Sequence, residues 1–219
     1  MTLLDGITHI IFDLDGLLVD TEPLWQAGES AILARYGTAW DPEIAKTHIG
    51  RRLDEAAAAM IAGYGLPLAA AVLEAEILED VVARTAHELV AMPGADELVR
   101  RAYSAGYPLA IASSSPRYYI EAVVQQSGWA GLITHIASAY EAPQGKPAPD
   151  VYLDAIARLE TTAARCIAFE DSPTGARAAQ AAGLRTVAVP GHGFTPQDYL
   201  GIVDHVLPSL LEILPLIKT

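Results

Sequence analysis

Basic residues are scarce in this chain. Only 14 Lys and Arg stand against 27 Asp and Glu among 219 residues, a formal net charge of −13 at pH 7. Nucleic-acid binding through a cationic patch is not expected, because such binding rests on Lys and Arg neutralising phosphates. Cysteine is scarcer still. Cys166 stands alone, so no internal disulfide can form and a reducing, cytoplasmic setting is expected. Residues 1–6 carry Asp5 but no basic leader, and no apolar run is long enough to cross a bilayer. Neither a signal peptide nor a membrane span is expected. Repeats and low-complexity tails are also missing. What the chain does have is apolar material, 52% of its residues against 19% charged, far from the composition of disorder. Its length suits one large domain, or a domain of roughly 140 residues carrying a smaller insert. A monomer is expected.

Five short apolar, β-branched runs read as buried strands: residues 7–13, 107–113, 132–138, 166–169 and 184–189. Helical patterns over 95–105, 117–127, 149–159 and 174–182 lie between them, several closed by Gly106, Gly128 and Gly183. Such alternation implies a parallel sheet covered on both faces. Residues 23–92 break the alternation with helical patterns over 24–36, 41–47, 53–64 and 67–90, the third containing the alanine run 56–59. A helical insert after the first strand would sit over the strands' carboxyl ends, where open α/β sheets bind ligands. The expected division is a core of residues 1–16 and 93–219 and a helical cap of residues 17–92.

Four groups of residues carry chemistry. Asp13-Leu14-Asp15-Gly16 ends the first strand with two carboxylates two residues apart, able to point to one side while Leu14 points to the other. One could be a nucleophile and the other an acid/base, although a plain turn with solvated carboxylates has the same sequence. A calcium loop starting at Asp13 is set aside, since its sixth and twelfth places hold Leu18 and Leu24. Phe169-Glu170-Asp171-Ser172 ends another strand in adjacent carboxylates, hard oxygen donors that suit Mg²⁺, or helix caps ahead of Pro173. Ser113, Ser114 and Ser115 offer hydroxyls and N–H groups at a helix start, a place for an anion or a simple cap. Lys146 stands between prolines in Gly145-Lys146-Pro147-Ala148-Pro149-Asp150, with Lys46 and Lys218 the only other lysines.

In this order, and through the stretches FDLDGLLVDTEPLW (12–25), GKPAPD (145–150) and FEDSPTG (169–175), the chain resembles phosphohydrolases of the haloacid dehalogenase superfamily. The likeness extends over essentially the whole chain and is strongest to the branch of β-phosphoglucomutase and 2-deoxyglucose-6-phosphate phosphatase. The resemblance implies an α/β, Rossmann-like parallel sheet flanked by helices, with an inserted helical cap. It also implies that Asp13 attacks phosphorus, and that Asp15 protonates the leaving alcohol and later takes a proton from water. Mg²⁺ would be held by Asp13, the backbone carbonyl of Asp15, Glu170 and Asp171. Ser113 and the Ser114 N–H would bind phosphoryl oxygens, and Lys146 would pair with them and with Asp13.

Substrate choice would belong to Thr21, Glu22, Trp25 and Arg52, with Trp25 either closing over the leaving group or forming cap core. Arg52 matches the family's Gly-x-Arg pattern better than Arg51, and two arginines opening a helix oppose its dipole unless a ligand meets them. The family's mutases carry a histidine where Trp25 stands and an arginine where Leu53 stands, which favours a phosphatase over a phosphomutase. A non-catalytic phosphate-ligand module remains the distant alternative. The expected partner is a small phosphate ester, a hexose or deoxyhexose 6-phosphate above all, with pseudouridine, glycerol and flavin monophosphates suiting similar residues.

Overall fold

The computed structural model describes residues 3–217; Lys218 and the outermost core boundaries expected from the sequence, residues 1 and 219, lie outside them. Six parallel strands form one sheet in the order β3-β2-β1-β4-β5-β6: β1 (His9–Phe12), β2 (Leu109–Ser113), β3 (His135–Ser138), β4 (Cys166–Glu170), β5 (Arg185–Ala188) and β6 (His205–Val206). The fold is α/β and Rossmann-like, as the sequence implies. β1 lies at the centre, with Phe12 paired to Ile111 of β2 and Phe169 of β4. The period of two then sorts the side chains into two layers. Ile10, Phe12, Ile111 and Phe169 pack with α5 (Ala95–Ser104) and α6 (Arg117–Gln126), while Ile11, Ala110, Ala112 and Ala168 pack with α7 (Asp150–Arg158) and α8 (Pro173–Ala181). Alanines dominate the second layer, so those helices approach the sheet closely.

Two details depart from the sequence reading. β6, two residues long, carries no periodic signal and is recruited as an edge by pairing with β5. β3 starts late because residues 129–133 close a turn, with the Ile133 N–H donating to the Trp129 carbonyl.

Between β1 and α5 the chain forms four helices, α1 (Glu22–Arg35), α2 (Pro42–Ala45), α3 (Leu53–Tyr64) and α4 (Ala70–Glu88). Leu33, Ala57, Met60, Leu73, Ile77 and Val81 are buried among them, each large apolar side chain contributing about 1.5–3 kcal/mol on burial. The segments that enter and leave this insertion run side by side: the Asp20 N–H donates to the Val90 carbonyl and the Met92 N–H to that of Leu18. Among the described residues no helix is long and apolar enough to cross a membrane.

Candidate active site

Asp13 follows directly on β1, so sheet pairing on both sides buries it to 7% exposure. Leu14 turns away and is fully buried, and Gly16 then takes φ +81°, where an added Cβ would stand 2.2 Å from Oδ2 of Asp171. Only glycine fits that turn. Lys146, 1% exposed, comes from the loop before α7. Its Nζ donates to Oδ1 of Asp13 and to Oε1 of Glu170, both at 2.6 Å. The second oxygen of Asp13 has no hydrogen-bond donor among the described residues. Burial pushes the Asp13 carboxyl up to about 8, with Glu170 and Asp15 adding to the shift and Lys146 opposing it. Burial also works against the Lys146 ammonium, but Asp13 and Glu170 outweigh it and hold its pKa above the usual lysine value.

Glu170 is saturated. Its Oε1 also accepts the Tyr152 hydroxyl at 2.7 Å, and Oε2 faces the N–H groups of Asp171 and Ser172 at 3.2 and 3.3 Å and the Ser172 hydroxyl. Ser172 meanwhile caps α8, accepting from the Gly175 N–H at 3.0 Å, so the helix cap foreseen for this stretch is real and falls on Ser172. The Asp171 carboxylate, lying against Gly16 and Gly191, has no hydrogen-bond donor among the described residues. Burial raises its pKa well above the ordinary carboxyl range, and repulsion from Asp13, Glu170 and Glu22 adds to the rise.

Asp15 faces hydroxyls. Oδ1 accepts from Thr21 at 2.8 Å and Tyr119 at 3.3 Å, and Oδ2 from Ser115 at 2.8 Å and Ser113 at 3.4 Å. Ser114 turns to the helical insertion instead, donating to the Gly50 carbonyl at 2.8 Å. The residues foreseen from sequence on the core side therefore converge, and three partners that sequence reasoning missed join them: Ser115 and Tyr119 on Asp15, and Tyr152 on Glu170. Ser115 belongs to a serine triplet already singled out. Nothing in the sequence around the tyrosines marks a buried hydroxyl, and only the approach of α6 and α7 to the sheet edge brings them in.

A cavity of about 90 Å³ opens between these groups and the insertion, lined by Asp13, Asp15, Lys146 and Asp171 below and by Glu22, Trp25, Glu29, His48, Arg51 and Leu53 on the other side. Trp25 packs edge-on against Tyr119 of α6 at 6.2 Å between ring centroids, a contact with the core rather than within the cap, and also lines the cavity. Burial pushes Glu22 up to about 7, with repulsion from Asp15, Glu29 and Asp20 adding to it. The two arginines are placed differently from the sequence expectation. Arg52 turns away from the cavity, bonding to both oxygens of Asp54 at 3.1 and 2.9 Å and to the Ala139 carbonyl at 3.2 Å, with its guanidinium over the Tyr140 ring. Arg51 lines the cavity and, among the described residues, has no side-chain partner. The Gly-x-Arg spacing could not reveal this, because Asp54, two residues on, captures the second guanidinium.

Asp13, Glu170 and Asp171 bring carboxylate oxygens within 4.8 Å of one another. The donor set is hard oxygen, the Asp171 carboxylate lacks a donor, and three carboxylates face a single ammonium. These residues fit a small divalent cation such as Mg²⁺.

The sequence matches the model of the haloacid dehalogenase-like hydrolase family over residues 7–183. It is 33% identical over 205 residues to the bifunctional riboflavin kinase/FMN phosphatase of Arabidopsis thaliana, covering 93% of this chain and 54% of that protein, about half its length. To hexitol phosphatase B of Escherichia coli (strain K12) it is 33% identical over 216 residues, 94% of each chain. Among solved structures, CbbY from Rhodobacter sphaeroides in complex with phosphate superposes with a TM-score of 0.85 at 30% identity, covering 94% of this chain and 96% of that one. The chain belongs to the haloacid dehalogenase-like hydrolase family. Several of its relatives are named phosphatases, and it is a phosphoric monoester hydrolase.

Proposed function

We propose that the protein is a Mg²⁺-dependent phosphatase of a small phosphorylated sugar or related metabolite, with hexose and deoxyhexose 6-phosphates favoured. The observation that carries this reading is the pairing of a buried Asp13, held through one oxygen by Lys146, with Asp15 set two residues on and ringed by hydroxyls. The free oxygen of Asp13 attacks phosphorus, forming an aspartyl phosphate as the P–O bond to the leaving group breaks. Asp15 gives its proton to the departing alkoxide, then takes one from the water that attacks the aspartyl phosphate and releases inorganic phosphate. Ser113, the Ser114 N–H and Lys146 hold phosphoryl oxygens. Asp13, Asp171 and the Asp15 carbonyl, with Glu170 in the same cluster, would hold Mg²⁺, which when bound neutralises charge on those oxygens.

Residues 17–92 act as a cap on a core of residues 1–16 and 93–219, excluding water until the leaving group departs. Glu22 and, in place of Arg52, Arg51 face the leaving group from the cap, whereas Thr21, expected to meet the substrate, is fully buried and donates to Asp15 instead. The positions that would distinguish a mutase hold Trp25 and a buried Leu53, neither able to exchange a proton, and this supports hydrolysis over transfer. Buried Cys166 as the sole cysteine supports a reducing, cytoplasmic setting. The test is a panel of phosphate esters ranked by kcat/KM with and without Mg²⁺. Turnover should require the metal and fall at least 10³-fold in Asp13→Asn, a loss typical of removing a nucleophile. Near-normal activity in that variant, or no turnover of any ester by the native enzyme, would sink the reading.

A further inference from the structure

Tyr119 of α6 is 1% exposed, and its hydroxyl reaches Oδ1 of Asp15 at 3.3 Å. The ring is held in place. Trp25 packs edge-on against it, and the Thr85 hydroxyl of α4 stands 3.3 Å from the phenol oxygen. Thr85 donates its own proton to the Val81 carbonyl at 2.8 Å, so in this corner the phenol is the donor and its proton has two acceptors, the threonine oxygen and the carboxylate. A charged acceptor makes the stronger bond. Burial raises the Tyr119 pKa and the charge of Asp15 adds to the rise, so the hydroxyl keeps the proton it donates. Asp15 lines the cavity and Tyr119 does not. Any effect of the phenol on the reaction therefore passes through Asp15.

We propose that Tyr119 is a positioning residue for Asp15: together with Thr21 it closes Oδ1, and Oδ2 is left as the oxygen that exchanges the proton with the leaving group and with water. The inference rests on the phosphatase reading above and adds to it a residue and an atom. Each carboxylate oxygen offers two acceptor sites. Thr21 at 2.8 Å and Tyr119 fill both sites of Oδ1. On Oδ2, Ser115 donates at 2.8 Å but Ser113 stands at 3.4 Å, and under the proposed function Ser113 turns to a phosphoryl oxygen. One site on Oδ2 is thereby freed for the proton. That proton passes from Oδ2 to the departing alkoxide as the P–O bond breaks, leaving Asp15 a carboxylate, and Tyr119 gives up no proton in either step. Without the phenol, Oδ1 has an open site where the proton can settle, and the carboxyl loses one of the contacts that fix its rotation.

The test deletes the hydroxyl and keeps the ring. An aryl ester, p-nitrophenyl phosphate, expels a stable phenolate and needs little help from a proton. Hexitol phosphate, or the fastest alkyl ester of the panel above, expels an alkoxide and depends on the acid. Tyr119→Phe should lower kcat/KM at least tenfold more on the alkyl ester than on the aryl ester. Equal losses on both, or an alkyl ester unaffected, would overturn the proposal, since a tyrosine that only fills space has no means of telling the two leaving groups apart. Should the variant fail to fold, 3-fluorotyrosine at position 119, which retains the hydroxyl and makes it a stronger donor, decides: the alkyl-to-aryl ratio should shift at least twofold, and an unchanged ratio refutes the role. Failure of native enzyme to hydrolyse any ester is a separate result, which removes the phosphatase reading itself.

Discussion

Lys146 reaches Asp13 and Glu170 at 2.6 Å while almost wholly buried, so removing its ammonium leaves two carboxylates facing each other out of water. Lys146→Met should therefore lose about 3–5 kcal/mol of stability, the usual cost of stranding a buried charge, along with turnover. Urea unfolding checks the first part, and a loss under about 1 kcal/mol would show that the triad is not a buried charge network. Glu22 gives a pH signature. Its folded pKa of about 7 stands above the ordinary glutamate value of 4.5, so between those values the folded chain keeps a proton that the unfolded chain has released. Its contribution is favourable below pH 4.5 and is lost as pH rises through 7. Relative to the native chain, Glu22→Gln should gain on the order of 1–3 kcal/mol on going from pH 4.5 to pH 8. A pH-independent difference between the two would show that Glu22 is not held in its protonated form. The carboxylates themselves were legible from strand ends, but the hydroxyls of Tyr119 and Tyr152 were not, because a tyrosine on a helix pattern reads as core until its neighbours are known.

At the scale of elements, the seam between insertion and core runs through Gly50, with φ +79° and an added Cβ only 2.5 Å from the Ser172 hydroxyl. Its carbonyl also receives Ser114. Gly50→Ala should push the insertion off the core, raising KM and lowering kcat by tenfold or more while shifting Tm by only a few degrees, since the strained turn lies at the surface of both layers. Unchanged kinetics would show that this seam does not govern closure. The helices of the insertion were readable within a few residues from periodicity and glycine punctuation, and α3 begins and ends at the residues expected. What periodicity could not supply is how the helices face the core. Arg51 and Arg52 are adjacent in sequence, yet one lines the cavity and the other is captured by Asp54, because successive residues at a helix start point in different directions.

For the whole molecule, a charge of −13 repels an anionic ester at long range, so under the proposed function capture would rest on the Mg²⁺ that the carboxylates would hold, Lys146 and Arg51. Raising ionic strength from about 0.01 to 0.15 M shortens the screening length from about 30 to 8 Å. At saturating Mg²⁺, kcat/KM should hold or rise over that range. A steep fall would reveal attractive steering that the composition denies.

The sequence by itself determined the parallel α/β sheet, the helical insertion and the carboxylates, serines and lysine at the strand ends, because hydrophobic period and strand-end chemistry are local properties written in consecutive residues. Only the tertiary structure decided which arginine meets the cavity, that Glu170 is saturated by Lys146 and Tyr152, and that the Tyr119 hydroxyl reaches Asp15. The last two outcomes depend on side chains far apart in the chain meeting at distances near 3 Å, and the first on which way adjacent residues point at a helix start; a linear pattern of residue types carries no information about either.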